Sequence, residues 1–287
     1  MKIEVNNIYN MDCMEGMELI PDKSIDCIIC DLPYGTVSQS WDKPIPLNDF
    51  IIDTDGKMKT QEEYFLHCFA KKYDYDYIEW EWHHERRRGL WSHYNRIVKD
   101  GGAIVLFCTQ PFTSELLMSN KSNYKHCWVW DKKNGANFMN CRFQPYKVNE
   151  DILVFSCDGK KVNYFPQMVK GKMRKKGGYQ KETSNSIYGE ERHLSIEPKM
   201  SDLYYPKSII EISNANKKDK VHPTQKPVEL IEYLIKTYTR EGDVVLDNCI
   251  GSGTTAVACI NTNRNYIGFE TNPDYFQIAI DRTKGGD

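Results

Sequence analysis

Two short stretches of the chain combine residue types suited to chemistry. Asp31-Leu32-Pro33-Tyr34-Gly35 follows the apolar run Ile25 to Cys30, which reads as a buried strand, so it leaves the strand's carboxyl end, where open α/β sheets bind ligands. A carboxylate, a proline-stiffened backbone carbonyl and an aromatic face together suit a planar heterocycle bearing an exocyclic amine. Asp31 and the Leu32 carbonyl would accept the two amino hydrogens, draw the nitrogen toward tetrahedral geometry and localise its lone pair, while Tyr34 stacks on the ring. That nitrogen would then attack a sulfonium methyl in line, and a base taken from a duplex would first have to leave the stack. The plainer alternative is a strand-ending turn, because Asp, Pro and Gly are turn residues.

The second stretch, Asp247-Asn248-Cys249-Ile250-Gly251-Ser252-Gly253-Thr254-Thr255, follows another apolar run and opens a helical segment. Gly251 and Gly253 let the backbone approach a ligand, and the helix N-terminus offers free N–H groups. Glycines at such a turn also serve packing alone, so the next strand matters. It ends at Glu270, 23 positions after Asp247, near the offset at which dinucleotide-type folds place the carboxylate that grips ribose hydroxyls. The glycine pattern is shorter than G-x-G-x-x-G and has no second turn for a pyrophosphate. A nucleoside without phosphates, such as S-adenosylmethionine, fits better than NAD.

Both stretches need a parallel sheet behind them. Ile25 to Cys30, Ala103 to Cys108, Asp243 to Asp247 and Tyr266 to Glu270 read as buried parallel strands, and Thr254 to Ile260 supplies the helix of a right-handed βαβ unit. His126 to Trp130 and Asp151 to Phe155 suggest an antiparallel pair at one edge. The expected fold is therefore an α/β, doubly wound mixed sheet. Two stretches break the rhythm. Trp41 to Arg88 is polar and aromatic and looks inserted, and Asp158 to Lys220 is rich in Lys, Gly, Ser, Asn and Tyr, a linker or a surface module.

Composition narrows the class. At 287 residues the chain holds one large domain or a domain with an inserted module, and it has no apolar stretch near the roughly 18 residues of a membrane span. Met1 to Asn6 has no basic region leading into an apolar one, and ten cysteines sit singly inside apolar runs, so a reducing cytoplasm is the expected location. The net charge of −2 argues against a protein that merely coats nucleic acid. Gly159 to Lys181 departs from that average with eight basic residues and no acidic one.

With these residues in view, the chain resembles the β-class of S-adenosylmethionine-dependent DNA amino-methyltransferases, the adenine-N6 and cytosine-N4 family. Its catalytic motif is D/N/S-P-P-Y/F/W and its cofactor motif D-x-F-x-G-S-G-T; here Asp31 to Tyr34 precedes Asp247 to Thr254, the permuted order of that class. The resemblance runs from about Asn7 to Arg282, excepting the two irregular stretches. It implies a seven-stranded Rossmann-like methyltransferase sheet and catalysis by Asp31, Leu32, Pro33 and Tyr34. It places Asp12 and Cys13 near the cofactor adenine. His222-Pro223-Thr224-Gln225-Lys226-Pro227 looks like the motif before the cofactor-side helix, with Lys226 meeting the methionine carboxylate. Asp31, Pro227, Asp247, Cys249, Gly251, Ser252, Gly253, Thr254 and Glu270 complete the implied cofactor set. Leu32 stands where the family has its first proline, which leaves a less stiff loop, and Cys249 stands where a phenylalanine packs on the cofactor.

The same resemblance divides the chain into a discontinuous catalytic domain (1–40, 90–157 and 221–287), an insertion (41–89) and a target-recognition region (158–220). Lys170, Lys172, Arg174, Lys175 and Lys176 in that region would bind phosphates, and Arg can also read guanine edges; a solvated charged loop is the alternative. The insertion, with Arg86, Arg87 and Arg88, would help hold the flipped base or nearby DNA, unless it is a structural elaboration or dimer contact. Double-stranded DNA is the implied substrate, with a homodimer and a cognate restriction endonuclease raised as partners by a restriction-modification role.

Asp at position 31 favours adenine N6, since the family's cytosine enzymes more often carry Ser there. Cytosine N4 is the nearest alternative, ahead of a catalytically inactive DNA-binding protein and a protein-glutamine methyltransferase. Other constellations carry less. Cys27 and Cys30 have C-x-x-C spacing but would face opposite sides of a strand, so no metal is expected. His83-His84 reads as a surface pair, and Trp128 and Trp130 as sheet packing.

Overall fold

Parallel pairing explains why the apolar runs are continuous: strands covered on both faces have no solvent side to alternate with. The computed structural model describes residues 2–35, 42–52, 58–60, 85–135, 137–157, 159–176, 199–214 and 225–284. His83, His84 and His222 to Thr224 lie outside these residues. In chain order the elements are β1 (Asn7–Tyr9), α1 (Cys13–Glu18), β2 (Ile25–Asp31), β3 (Phe50–Ile52), β4 (Met58–Thr60), β5 (Glu85–Arg87), α2 (Leu90–Ile97), β6 (Val98–Cys108) and α3 (Phe112–Ser119). They continue with β7 (Tyr124–Asp131), β8 (Asn149–Ser156), β9 (Val169–Lys176), β10 (Lys199–Tyr204), β11 (Ile209–Glu211), α4 (Val228–Tyr238), β12 (Val244–Asp247), α5 (Thr254–Asn261), β13 (Asn265–Phe269) and α6 (Pro273–Lys284).

The chain forms two compact units, Met1–Phe165 with Ser208–Asp287, and Pro166–Lys207. The first is built on a sheet of order β1-β13-β12-β2-β6-β8-β7-β11. Only β8 runs against its neighbours, antiparallel to both β6 and β7. Among the described residues the sheet has eight strands where seven were expected. The extra one, β11, pairs parallel with the outer side of β7, Ile210 opposite Trp130, and its three residues are too few to stand out in the sequence. Residues 208–214, like 162–165, belong to this first unit, so the second unit is narrower than the 158–220 interval.

Helices cover both faces. Ile28, Cys30, Ile104, Leu106, Leu153 and Phe155 pack with Met17 of α1, Leu90, Tyr94 and Ile97 of α2 and Leu116 of α3. Cys27, Ile29, Val105, Phe107, Ile152 and Val154 pack with Leu230, Ile231, Leu234 and Ile235 of α4, and Ala256 and Cys259 of α5. Cys27 and Cys30 thus lie on opposite faces, and Trp128 and Trp130 are buried in the second. Each fully buried Leu or Ile contributes about 1.5–3 kcal/mol, so the two stripes are a large part of what holds the layers together.

From β12 the chain crosses to β13 on one side, and from β2 it crosses to β6 on the other. β12 and β2 are themselves paired, Val245 with Cys27 and Leu246 with Ile28. This reversal of strand order opens a crevice at the carboxyl ends of β2 and β12, the switch point at which such sheets bind ligands.

Within the insertion, β3 pairs antiparallel with β4 and β5, which sets Arg86 opposite Ile51 and Arg87 opposite Phe50. In the second unit β9 and β10 form an antiparallel ribbon with a register shift between Ser201 and Leu203. Tyr204 closes it: its hydroxyl donates to the Lys172 carbonyl at 2.9 Å, and Arg174 lies 3.9 Å over its ring.

Gly16 on α1 meets the buried ring of Phe269, where an added Cβ would sit 2.3 Å from Cε1. Alanine improves helix propensity by about 1 kcal/mol, but overpacking a core costs about 1–3 kcal/mol. Gly16→Ala is therefore expected to lower stability in urea denaturation; an increase would show that the ring moves aside freely.

Candidate active site

Asp31 is the last residue of β2, opposite Phe107 on β6, and Leu32 turns back into the core. The Tyr34 hydroxyl donates to Asp31 Oδ1 at 2.6 Å, and its ring lies 5.2 Å from that of Phe112. Burial first, then the charge of Asp31, pushes the Tyr34 phenol well above its usual range, so it remains a donor. The loop is fixed from outside its own sequence. Asp42 Oδ1 accepts the backbone N–H groups of Tyr34 at 2.7 Å and Gly35 at 2.9 Å, from a side chain only 6% exposed. This carboxylate supplies stiffness that Leu32, standing in a proline position, does not.

Residues 42–49 also brace α2. The Pro46 and Leu47 carbonyls accept from Leu90 N and Trp91 N, and Asp49 Oδ1 accepts from Gly89 N at 2.9 Å and Ser92 Oγ at 2.5 Å. Residues 42–49 therefore serve both the N-terminus of α2 and the loop after β2, the work of N-capping groups.

The other oxygen of Asp31 meets Lys226. Lys226 Nζ lies 2.5 Å from Asp31 Oδ2 and 3.3 Å from Glu150 Oε2, and it stands 5.1 Å over the Phe107 ring. Glu150 Oε1 in turn accepts from Lys132 Nζ at 3.0 Å. The charges alternate as Asp31, Lys226, Glu150, Lys132. Burial opposes the Lys226 charge, but Asp31 and Glu150 outweigh it and hold its pKa above the usual lysine value. Burial likewise opposes ionisation of Glu150, and the two lysines reverse the balance and hold it below the usual carboxylate range. Pro227, next to Lys226, is the N-cap residue of α4, so the lysine is delivered by the helix start.

On the other side of the crevice the loop after β12 is shaped by its first carboxylate. Asp247 Oδ1 accepts from Cys249 N at 3.1 Å and Oδ2 from Thr255 Oγ1 at 2.5 Å, closing the turn from Asn248 into α5. Asn248 accepts the Tyr94 hydroxyl at 2.6 Å and directs its amide at Cys249 Sγ, 3.5 Å, and Cys13 Sγ, 3.8 Å. Cys249 thus meets Asn248 instead of presenting a ring to the crevice. Gly251 and Gly253 have φ of 52° and 82°, the left-handed region, and a Cβ on Gly251 would meet nothing within 4 Å. Arg282 Nη1 clasps the loop through the Ser252 carbonyl at 2.6 Å and the Ser252 and Thr254 hydroxyls at 3.2 Å.

Glu270 follows β13 and accepts from Gly251 N at 3.0 Å and Asn272 N at 2.8 Å; burial raises its pKa despite these bonds. Asp12 is the N-cap of α1, accepting from Met14 N at 2.8 Å, and Cys13 is buried behind it. The sequence-derived catalytic and cofactor residues therefore lie after β2, β12 and β13 and at the starts of α1 and α4. Asp42, Glu150 and Lys132 join them without any motif to announce them.

The expected DNA contacts fall on β9, on β5 and at Arg88. Lys170, Lys172, Arg174 and Lys175 are exposed on β9, where Lys176 pairs with Lys199. Arg88 is bound to Glu18 of α1 at 2.7 Å, while Arg86 and Arg87 belong to β5.

Burial pushes the Asp247 carboxyl up to about 7. A carboxyl raised on folding contributes stability below its unfolded pKa, lost as pH rises through the folded one. Stability is thus expected to fall between about pH 4 and pH 7, and less so in Asp247→Asn, by about 1.4 kcal/mol per pKa unit. Parallel melting curves for the two proteins would show that this carboxyl does not titrate there.

Comparison with known proteins agrees with the geometry. Type II methyltransferase M2.MboI of Moraxella bovis is 25% identical over 279 residues, covering 95% of this chain and 85% of the relative. The M1.HpyAVI–SAM complex aligns with a TM-score of 0.52 at 23% identity, covering 96% of this chain and 98% of that one. PvuII DNA methyltransferase, cytosine-N4-specific, aligns with a TM-score of 0.56 at 16% identity, covering 98% and 87%. The DNA methylase family of N6 and N4 methyltransferases matches residues 25–281, which include both loops of the crevice, and the chain belongs to that family.

Proposed function

We propose that this DNA methyltransferase moves the methyl group of S-adenosylmethionine to the N6 amino group of adenine within a short DNA sequence, with the target base flipped out. The observation that carries the reading is the pairing of β2 with β12, which sets Asp31 and Tyr34 across one crevice from the glycine loop and Glu270. The cofactor fits that loop. The open space at Gly251 is a cradle that a side chain would fill, and Glu270 offers a partly buried carboxylate for ribose hydroxyls. Ser252, Gly253 and Thr254 shape the cradle, and Asp12 and Cys13 would hold the adenine. When bound, S-adenosylmethionine supplies an electrophilic methyl carbon and a thioether leaving group.

The chain's own residues prepare the nucleophile. Asp31 and the Leu32 carbonyl accept the amino hydrogens, which removes electron density from the ring and returns it to the nitrogen lone pair. A carboxylate has about four lone-pair positions, so Asp31 accepts from the amine while keeping Tyr34 and Lys226. Pro33 sets the direction of the carbonyl and Tyr34 stacks on the base. Asp31 is also the acceptor for the proton that the methylated nitrogen sheds. Lys226, paired with Asp31 and Glu150, would meet the methionine carboxylate of the cofactor by charge. The basic strand β9 binds phosphates, through Lys170, Lys172, Arg174, Lys175 and Lys176. Arg86, Arg87 and Arg88 add weaker contacts around the base.

Labelled methyl transfer to unmethylated DNA, followed by nucleoside analysis, tests the reading. Label is expected as N6-methyladenine, reduced by about 10²–10³ in Asp31→Ala, the cost of removing one aligned hydrogen-bonding group. Label in N4-methylcytosine would assign the other base of the family. Glu150→Gln leaves Lys226 with one carboxylate instead of two and is expected to lower kcat at least about tenfold with little change in cofactor affinity, partly recovered in Glu150→Asp. An unchanged kcat would restrict Glu150 to a role in folding.

A further inference from the structure

The connection from β7 to β8, residues 132–148, is unlike its surroundings. It holds four basic residues, Lys132, Lys133, Arg142 and Lys147, and no acidic one, in a chain of net charge −2. It is folded. Asn137 Nδ2 donates to the Pro145 carbonyl at 3.0 Å, Asn137 Oδ1 accepts from Lys147 N at 2.8 Å, and the Tyr146 hydroxyl donates to the Gly135 carbonyl at 2.8 Å. A single 3-10 turn, Phe138–Asn140, forms its tip.

Despite this order, the loop sets Phe138, Met139 and Phe143 in solvent at 79%, 90% and 89% exposure, the highest of any large apolar side chains among the described residues. A folded loop that turns its three bulkiest apolar groups outward forgoes their burial, and a cluster of this kind marks an interaction surface. Lys132 is bound inward by Glu150, and Lys133 by Asp131 and Glu211. Arg142 and Lys147 are exposed on the same loop as the aromatic groups.

Position decides the partner. β7 runs parallel to β2, so its carboxyl end opens on the edge from which Asp31 projects, three strands away, or about 14 Å. Glu150, just past the loop, meets Lys226, the lysine that holds Asp31. A second copy docked symmetrically here would oppose two basic loops. A polyanion with an apolar interior meets both features of the loop.

We infer that residues 138–146 enter the DNA duplex beside the flipped base: Phe138, Met139 and Phe143 fill the space the base vacates, and Arg142 and Lys147 bind the flanking phosphates. Apolar wedges of Phe and Met are the side chains that separate base steps elsewhere in DNA recognition, at an unstacking cost their stacking offsets. The inference rests on DNA methylation as proposed above and adds the group that holds the duplex open.

The test compares wild type with Phe138→Ala/Phe143→Ala, using labelled S-adenosylmethionine and one unmethylated plasmid DNA, as duplex and after heat denaturation. A single strand needs no flipping. The variant is expected to lose at least about tenfold in kcat/KM on the duplex and less than about twofold on single strands, at unchanged melting temperature. Phe143→Trp should retain duplex activity. In fluorescence anisotropy with a labelled duplex, Arg142→Ala should reduce the dependence of log affinity on log salt by about one. Equal rates on the duplex, or equal losses on both DNAs with an unchanged salt slope, would overturn the inference. So would loss of a dimer in the variant, which would assign the loop to a second copy. No label from wild type on either DNA would instead overturn the methyl-transfer reading itself.

Discussion

One nearly buried ammonium organises the carboxyl edge of the sheet at β2. Lys226 stands between Asp31 and Glu150, over the ring of Phe107, and joins the start of α4 to the ends of β2 and β8. Removing either carboxylate leaves charge poorly compensated in a region where water is scarce, which is why such networks hold only as a set. Lys132 completes the set by balancing Glu150. The Asp31 carboxylate is thus held from both sides, by the Tyr34 hydroxyl on one oxygen and by Lys226 on the other.

Across the crevice, the loop after β12 is held by Asp247, Glu270 and Arg282 together with backbone groups. Asp247 spends its oxygens on Cys249 N and Thr255, and Glu270 accepts Gly251 N, so the glycine loop is fixed before any ligand arrives. Preorganisation of this kind lowers the ordering cost of binding. Cys249 contributes to it differently from the phenylalanine of the family motif: its sulfur accepts from Asn248, whose oxygen is bound by Tyr94 of α2. Loss of an aromatic wall is thereby coupled to a polar tie between the loop and the core.

Much of this was legible in the sequence, for physical reasons. The β-branched runs, the glycine turn and the Asp31 and Glu270 positions all sit where period and spacing leave a signature, and the core strands appear where the runs predict them. The residues that escaped notice are of another kind. Asp42, Glu150 and Lys132 act through tertiary contacts with groups that local pattern does not bring near. β11 is three residues long and identifiable only by its pairing with β7. The small sheet of β3, β4 and β5 lies in a stretch whose composition offers no alternation to read.

The direction of β8 explains why Glu150 in particular was hidden. In a parallel sheet the site is built from residues that follow each strand, and a reader scans the carboxyl ends. β8 is reversed, so its first residues lie at the active edge, with Glu150 opposite Trp130 and Asp151 opposite Cys108. An antiparallel strand inserted between two parallel ones therefore delivers a carboxylate from its amino end to the same crevice. It also makes the β7 to β8 connection a hairpin over that edge, where a crossover would carry the chain away. The single reversal in the sheet thus places a charged anchor and an exposed aromatic loop on the same edge as Asp31.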